Sequence, residues 1–292
     1  MKLYAPNYYS GFTCIADRCR HSCCVGWEID IDADTMEKYG SLSHSYGKNI
    51  RNSIEDGHFR LDKRDRCPHL DESGLCKIIC EIGDDCLCDI CREHPRFYNY
   101  NLRGCFVGLG LSCEEACRII LGSDDYTDFK IIDEINEEDD VTDFDAVAET
   151  EKLYKILSDR SVDYAHRLSL IASSYSMPTD FTIGSRNEIL SSLEYLDEEH
   201  KKLFINAPKA SFSANKYELF ERALAYFIYR HCMCAADEYE FRAALGFSLF
   251  CENLLRALSA ENEDIFDLAR IISEELEYSE DNTESIKTEF MF

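Results

Sequence analysis

The sequence predicts a mostly α protein, with an irregular Cys-rich metal-binding module at the N-terminus and a helical C-terminal part. Three observations predict it. Thirteen of the 16 cysteines lie between Cys14 and Cys117, and only Cys232, Cys234 and Cys251 lie beyond. Residues 1–120 hold 15 basic and 19 acidic residues, net -4, whereas residues 121–292 hold 16 and 38, net -22. Apolar residues spaced for a helix are sustained only in the second half. The expected division is a Cys-rich metal-binding module over 1–122, an acidic linker over 123–145 and a helical domain over 146–292.

Along the chain, residues 3–12 read as an extended entry anchored by Tyr4, Tyr8, Tyr9 and Phe12. Gly26 to Asp32 alternates apolar and acidic residues, the two-residue period of a strand. Asp34 is placed to cap a short helix at Thr35–Tyr39. Phe59-Arg60-Leu61-Asp62 reads as a short exposed strand. Segment 67–117 has turn signals at Gly74, Gly83, Pro95 and Gly104 and is expected to be loop-rich with short helices. From Glu134 to Asp145 the chain is mostly acid, and like charges repel, which suits a linker or a solvated helix start. Helical spacing follows: Leu153, Ile156 and Leu157; Tyr164, Leu168 and Ile171; Leu219, Phe220, Leu224, Phe227 and Ile228; Phe247, Phe250, Leu254, Leu255 and Leu258. Met177-Pro178 and Gly184-Ser185 break the pattern.

Charge and hydropathy exclude several classes. A net charge of -26 gives no general attraction for phosphate backbones, so neither nucleic acid nor an anionic membrane surface is an expected partner. A cationic partner is compatible with it, although an acidic surface more often serves solubility. No stretch approaches 18 uninterrupted apolar residues, so no membrane span is expected. The first residues show no secretory-type apolar run, and a cytoplasmic location is expected. In a reducing compartment dense cysteines read as metal ligands or reactive thiols rather than disulfides.

The first cysteines are Cys14, Cys19, Cys23 and Cys24. Cys19 and Cys23 would share a face of a helical turn, whereas vicinal Cys23 and Cys24 point apart in any regular conformation. The second group runs Cys67, Cys76, Cys80, Cys86, Cys88, Cys91, Cys105, Cys113 and Cys117. The spacing is not the paired two-residue spacing of a zinc ribbon: Cys88–Cys91 is the only such pair, and its Asp89-Ile90 interior gives no redox-motif context. Thiolates select zinc, copper(I) and iron–sulfur clusters. A lone Cys is more often a small buried hydrophobe, which is how Cys232, Cys234 and Cys251 are read. The density of the N-terminal thirteen points to ligation by at least four of them, with the spacing leaving open which. His21, His69 and His94 lie inside these groups and fit hydrogen bonding better than ligation. Arg92 and Arg96 could donate to sulfur or pair with carboxylates.

In order, Phe12-Thr13-Cys14, Cys19, Cys23-Cys24-Val25-Gly26-Trp27-Glu28-Ile29, Cys67-Pro68, Gly74-Leu75-Cys76-Lys77-Ile78, Cys91-Arg92 with Pro95-Arg96, and Leu111-Ser112-Cys113 resemble the flagellin lysine N-methylase family. That family is related to a broader group of zinc- or iron-chelating proteins with a double-Cys motif. The resemblance covers roughly residues 4–120; the helical half carries no matching motif. It implies methyl transfer from S-adenosylmethionine to flagellin lysines, with an iron–sulfur cluster, 4Fe-4S in type, or zinc as the alternative, held by shared cysteines. The ligand candidates it implies are Cys14, Cys19, Cys23, Cys24, Cys67, Cys76, Cys91 and Cys113. Eight thiolates exceed one four-iron cube, so there are two sites or some are not ligands. Cys80, Cys86, Cys88, Cys105 and Cys117 fall outside the pattern.

Lysine methylation needs a neutral amine, because an ammonium has no lone pair. An aromatic-lined, desolvated channel would lower the lysine pKa and tolerate the methylated cation. Seventeen Tyr and 17 Phe permit such a channel without locating it. No glycine fingerprint follows a predicted strand, so the sequence assigns no residue to S-adenosylmethionine. No residue is assigned a catalytic role. The competing expectation is a non-catalytic iron- or zinc-binding protein, for metal storage, sensing or a structural metal in an interaction module.

Overall fold

The computed structural model describes residues 1–134, 144–213 and 215–291. The chain forms two compact units, one of Met1–Phe12 with Arg96–Phe292 and one of Thr13–Pro95. The shift in composition near residue 122 is thus not where the compact units divide. The reason is a sheet that binds the first residues of the chain to segments following Pro95.

That sheet is built from strands β1 (Lys2–Pro6), β4 (Arg96–Asn101), β5 (Gly104–Leu109) and β6 (Phe129–Glu134), in the order β4-β5-β1-β6. Strands β2 (Ile54–Glu55) and β3 (His58–Phe59) form a separate hairpin in the other unit. β1 runs parallel to β5 and antiparallel to β6, with a register shift between Leu3 and Tyr4. β4 and β5 pair antiparallel from Arg96 opposite Leu109 to Asn101 opposite Gly104. β5 is buried along its whole length, so it reads as a continuous apolar run without alternation. Gly108 lies under the Phe97 ring, where an added Cβ would stand 2.2 Å from it.

The helices of this unit are α5 (Glu114–Gly122), α6 (Ala146–Leu157), α7 (Tyr164–Ser174), α8 (Ile183–Ser192), α9 (Glu198–Ile205), α10 (Tyr217–Cys232), α11 (Glu238–Leu258), α12 (Ile265–Ile272) and α13 (Glu280–Thr288). A π-turn, Ser273–Glu277, links the last two. α10 and α11 pair at the centre, and α11 is buried almost continuously from Phe241 to Leu258. A helix apolar on all sides belongs inside a core rather than on its surface. Asp145, Asp163, Thr182, Asp197, Asp237, Asp264 and Ser279 each accept a backbone N–H at a helix start. The acidic reading of 134–145 therefore resolves at its ends: Glu134 closes β6, and Asp145 caps α6. The charges between them lie outside the described residues.

Four carboxylates are buried in this helical core. Glu221 meets Arg160 at 2.6 Å and Arg167 at 3.0 Å. Glu252 meets Arg256 at 2.7 Å and accepts from the Tyr164 hydroxyl at 3.0 Å. Glu275 accepts from the amides of Leu196 and Asp197 and meets His200 at 2.6 Å. Glu277 meets His231 at 2.7 Å.

The Thr13–Pro95 unit contains α1 (Ala33–Ser41), α2 (Gly47–Asn52), α3 (Lys77–Ile82) and α4 (Asp89–Glu93) around a core of Ile29, Ile31, Tyr39, Ile50, Phe59, Leu70 and Ile78. The alternating run 26–32 buries Ile29 and Ile31 as expected but is not a strand. Within it Asp30 makes an isolated bridge to His58 of the short strand β3, and Val25, just before it, makes another to Arg66. Asp32, not Asp34, caps α1: its carboxylate accepts from the Thr35 amide at 2.8 Å and also from the Asp89 amide at 2.9 Å. One side chain thereby starts two helices. Of the predicted strand Phe59–Asp62, only Phe59 pairs.

Gly246 gives a test of this packing. Replacing an exposed mid-helix Gly by Ala gains about 1 kcal/mol. At Gly246 the new Cβ would lie 2.2 Å from Cγ and 2.5 Å from Cβ of Phe290, atoms close to the backbone that have little freedom to yield. Overpacking of this kind costs about 1–3 kcal/mol, so Gly246→Ala is expected to lower the urea midpoint. A raised midpoint would show that Phe290 is not packed there.

Candidate metal centre

The second unit gathers thiols. Cys67, Cys86 and Cys88 are buried in its core, and Cys24, Cys76 and Cys91 pack against it half-buried. The backbone explains the gathering. The Cys67 amide donates to the Cys24 carbonyl at 2.8 Å, joining segments 43 residues apart, by 67 − 24. Leu70 bridges to Cys76, and the Lys77 amide donates to the His69 carbonyl at 2.8 Å, which folds the start of α3 back onto the Cys67 turn. Cys88 is the N-cap of α4, with Cys91 inside that helix, and Asp32 holds the helix start. The Tyr39 hydroxyl donates to the Cys86 carbonyl at 2.8 Å and fixes the loop between α3 and α4.

Electrostatics show that these sulfurs feel one another. A hydrogen bond from Cys23 brings the Cys24 thiol down to about 7 against the opposing effect of burial, with Ser22 and Arg66 assisting. Burial pushes Cys67 up to about 12, and the charges of Cys24, Cys76 and Cys88 push the same way. Burial also raises Cys76, with Cys24 and Cys80 adding to it. Cys88 and Cys91 are linked by a hydrogen bond: it lowers Cys88, and the same bond, then burial, raises Cys91. Several buried thiolates would repel in a medium that solvates none of them well. A cation among them reverses that cost, and coordination removes thiol protons outright. In donor type and number the residues therefore fit a soft metal. Their positions are not those of ligation, since among the described residues no three Cys, His, Asp or Glu side chains are placed to hold a metal ion.

Of the eight cysteines implied by the resemblance, the structure brings Cys24, Cys67, Cys76 and Cys91 to one core, with Cys23 joined to Cys24 by a hydrogen bond. Cys14 is exposed, and the Cys19 thiol donates to the His21 carbonyl at 3.2 Å. Cys113 belongs to the other unit, as the N-cap of α5. Cys88, outside the family pattern, belongs to the same core as Cys67. The Cys88–Cys91 gap is visible in the sequence, but a single such pair does not mark Cys88 as a member of this core. No disulfide joins any of the sixteen cysteines.

His69 is a hydrogen-bonding residue. Its Nδ1 lies 2.8 Å from the Tyr46 hydroxyl and its Nε2 2.8 Å from the Ser53 hydroxyl. Arg92 pairs with Asp89 and Glu93. Arg96 donates from Nε to the Tyr9 hydroxyl at 3.0 Å, with its guanidinium over the Tyr9 and Phe12 rings.

The fold and this core define a two-unit chain, mostly helical, with a thiol-rich centre in one unit. Comparison with known proteins narrows the class. Over 130 residues, 41% of the chain, it is 29% identical to the Lysine-N-methylase of Salmonella typhimurium and 28% identical to that of Salmonella choleraesuis. Over 133 residues it is 29% identical to the Flagellar biosynthetic protein FliU of Salmonella muenchen. These relatives bear out the resemblance to the flagellin lysine N-methylases. The matched region spans 32% of each methylase and 77% of FliU. No family model and no solved structure matches.

Two outcomes test the thiol core. Cys67→Ser and Cys91→Ser are expected to lower the bound metal per chain after anaerobic loading, read by elemental analysis. Cys251→Ser, on buried α11, should leave it unchanged. Equal metal content in all three would remove the core as the binding site. The second concerns pH. Burial first, then the nearby Lys77 charge, lowers the folded pKa of His69 to about 4 from the usual 6.5. Its neutral form is favoured in the fold, so its contribution is complete above about pH 6.5 and is lost as pH falls toward 4. The ceiling is about 3 kcal/mol, from 1.36 kcal/mol per unit. His69→Gln should flatten the fall in unfolding free energy between pH 6.5 and 4; an unaltered slope would place its origin elsewhere.

Proposed function

We propose that the chain is a protein-lysine N-methyltransferase acting on flagellin lysines, with S-adenosylmethionine as methyl donor and a thiolate-held iron–sulfur cluster of 4Fe-4S type, working in the cytoplasm. The observation that carries this reading is the similarity to two proteins named Lysine-N-methylase. The name FliU supports the flagellar link. The gathered thiols support the cluster, for which Cys24, Cys67, Cys76, Cys88 and Cys91 are the ligands of choice within the second unit. The location is consistent with sixteen cysteines and no disulfide, and no helix among the described residues is long and apolar enough to cross a membrane.

A bound cluster would supply charge and redox chemistry at the thiol core. The chain's own residues hold that core: Asp32 orients α4, Tyr39 fixes the Cys86 loop, and burial keeps water from Cys67 and Cys88. The acidic surface would attract a Lys-bearing substrate by a field that salt screens within about 8–10 Å.

One observation favours a second reading, a non-catalytic iron- or zinc-binding protein: the matched region spans only 32% of each methylase. Mass spectrometry of the host flagellin, with and without this protein, separates the two. The methylase reading expects lysine masses raised by whole methyl increments only when the protein is present. Unmodified flagellin in both, with colourless zinc-containing protein, would favour the second reading.

A further inference from the structure

The segment Leu111-Ser112-Cys113 belongs to the motif series, yet it is part of the first unit, whereas the gathered thiols belong to the second. What holds it is a buried polar hub. Leu111 is fully buried, and its amide donates to the Tyr226 hydroxyl oxygen at 3.2 Å. That oxygen also accepts from Arg230 Nη1 at 3.0 Å. With both acceptor positions used, the single hydroxyl proton must go outward, and it goes to Glu277 Oε2 at 3.0 Å. Glu277 Oε1 meets His231 Nε2 at 2.7 Å and Arg230 Nε at 3.4 Å. The Arg230 guanidinium lies 4.9 Å from the Phe97 ring on β4 and 4.9 Å from the Tyr278 ring. Glu277 itself is delivered by the last residue of the π-turn, a form of helix that often marks functional positions.

From this arrangement we infer that Glu277 is a positioning residue for Cys113, acting through the Tyr226 hydroxyl, which it turns into an acceptor for the Leu111 amide. Because Leu111 is buried, its amide has no water to fall back on, so its orientation follows the hydroxyl. Cys113 begins α5 two residues later, with its carbonyl accepting from the Cys117 amide at 2.8 Å. The direction of the segment as it enters α5, and with it the presentation of the half-buried Cys113 thiol, is set from the C-terminal end of the chain. This rests on the methylase reading only in that the family resemblance behind it counts Cys113 among the candidate ligand thiols.

The test reads Cys113 directly, not methyl transfer. In the full chain, alkylation of Cys113 by iodoacetamide is followed by peptide mass spectrometry. Tyr226→Phe and Glu277→Gln should each raise its rate about five-fold or more, the scale expected on losing a buried hydrogen bond. Their combination should add little to either alone. Tyr154→Phe is the control, since it removes a comparable buried bond, from the Tyr154 hydroxyl to the Ala225 carbonyl of the same helix α10. Unchanged Cys113 rates in the hub variants, or an equal rise in the control, would overturn the positioning role. Hydrogen exchange of the unsubstituted protein gives a check that needs no variant. The Leu111 amide should exchange as slowly as the interior of α10, and rapid exchange would refute the hub. If the hub result holds while flagellin stays unmethylated, the positioning role stands and the methylase reading fails.

Discussion

A carboxylate taken out of water is driven toward its neutral form unless protein donors meet it, and among the described residues the helical unit buries four. Burial pushes Glu221 up to about 8 and raises Glu252, whereas against the same effect of burial Arg230 and His231 hold Glu277 low. Desolvating an ion costs several kcal/mol, so leaving one partner of such a pair uncompensated is far more damaging than removing both. The consequence is geometric. Glu221 requires Arg160 and Arg167 at its side, Glu252 requires Arg256 and Tyr164, and Glu275 requires His200 and two amides. Each requirement fixes the rotation of one helix against another in a way that interchangeable Leu and Phe contacts would not. α10 and α11 form the most extensive helix pair, and the ionic contacts add directional constraints to that packing.

The thiol-rich unit faces the opposite electrostatic situation. Its buried thiols carry the same sign when ionised, and Arg66 is a cationic influence on Cys24. Hydrogen bonds from Cys23 to Cys24 and between Cys88 and Cys91 relieve part of the conflict by lowering the Cys24 and Cys88 thiols. This unit therefore has an energetic reason to take up a cation that the helical unit, already neutralised internally, does not have.

Helices were legible wherever a single apolar stripe decided the matter, as with Leu153, Ile156 and Leu157 on α6 or Tyr164, Leu168 and Ile171 on α7. The sheet was not, because its central strands do not advertise themselves. β5 is short, contains two glycines and is buried on both faces, so it lacks alternation; its partner β1 is more than 90 residues distant. β4 did carry a signal, Phe97, Tyr98 and Tyr100 in a short run before a turn glycine, but it was masked by the cysteine motifs around it. At the thiol core, sequence order named Cys24, Cys67, Cys76 and Cys91 through the family pattern. It missed Cys88, whose role depends on an Asp32 contact 57 residues away that no local pattern encodes.

The position of β1 has a consequence for the order in which the chain becomes structured as it leaves the ribosome. β1 is an interior strand, yet its neighbours β5 and β6 begin only at Gly104 and Phe129. The first dozen residues must wait, unpaired, while the whole of Thr13–Pro95 is synthesised and, being continuous in sequence, becomes free to fold by itself. A nascent chain thus completes its thiol-bearing unit while the sheet that will close around its own beginning does not yet exist. Folding of the thiol-bearing unit and assembly of the helical unit are separable in time by the topology alone.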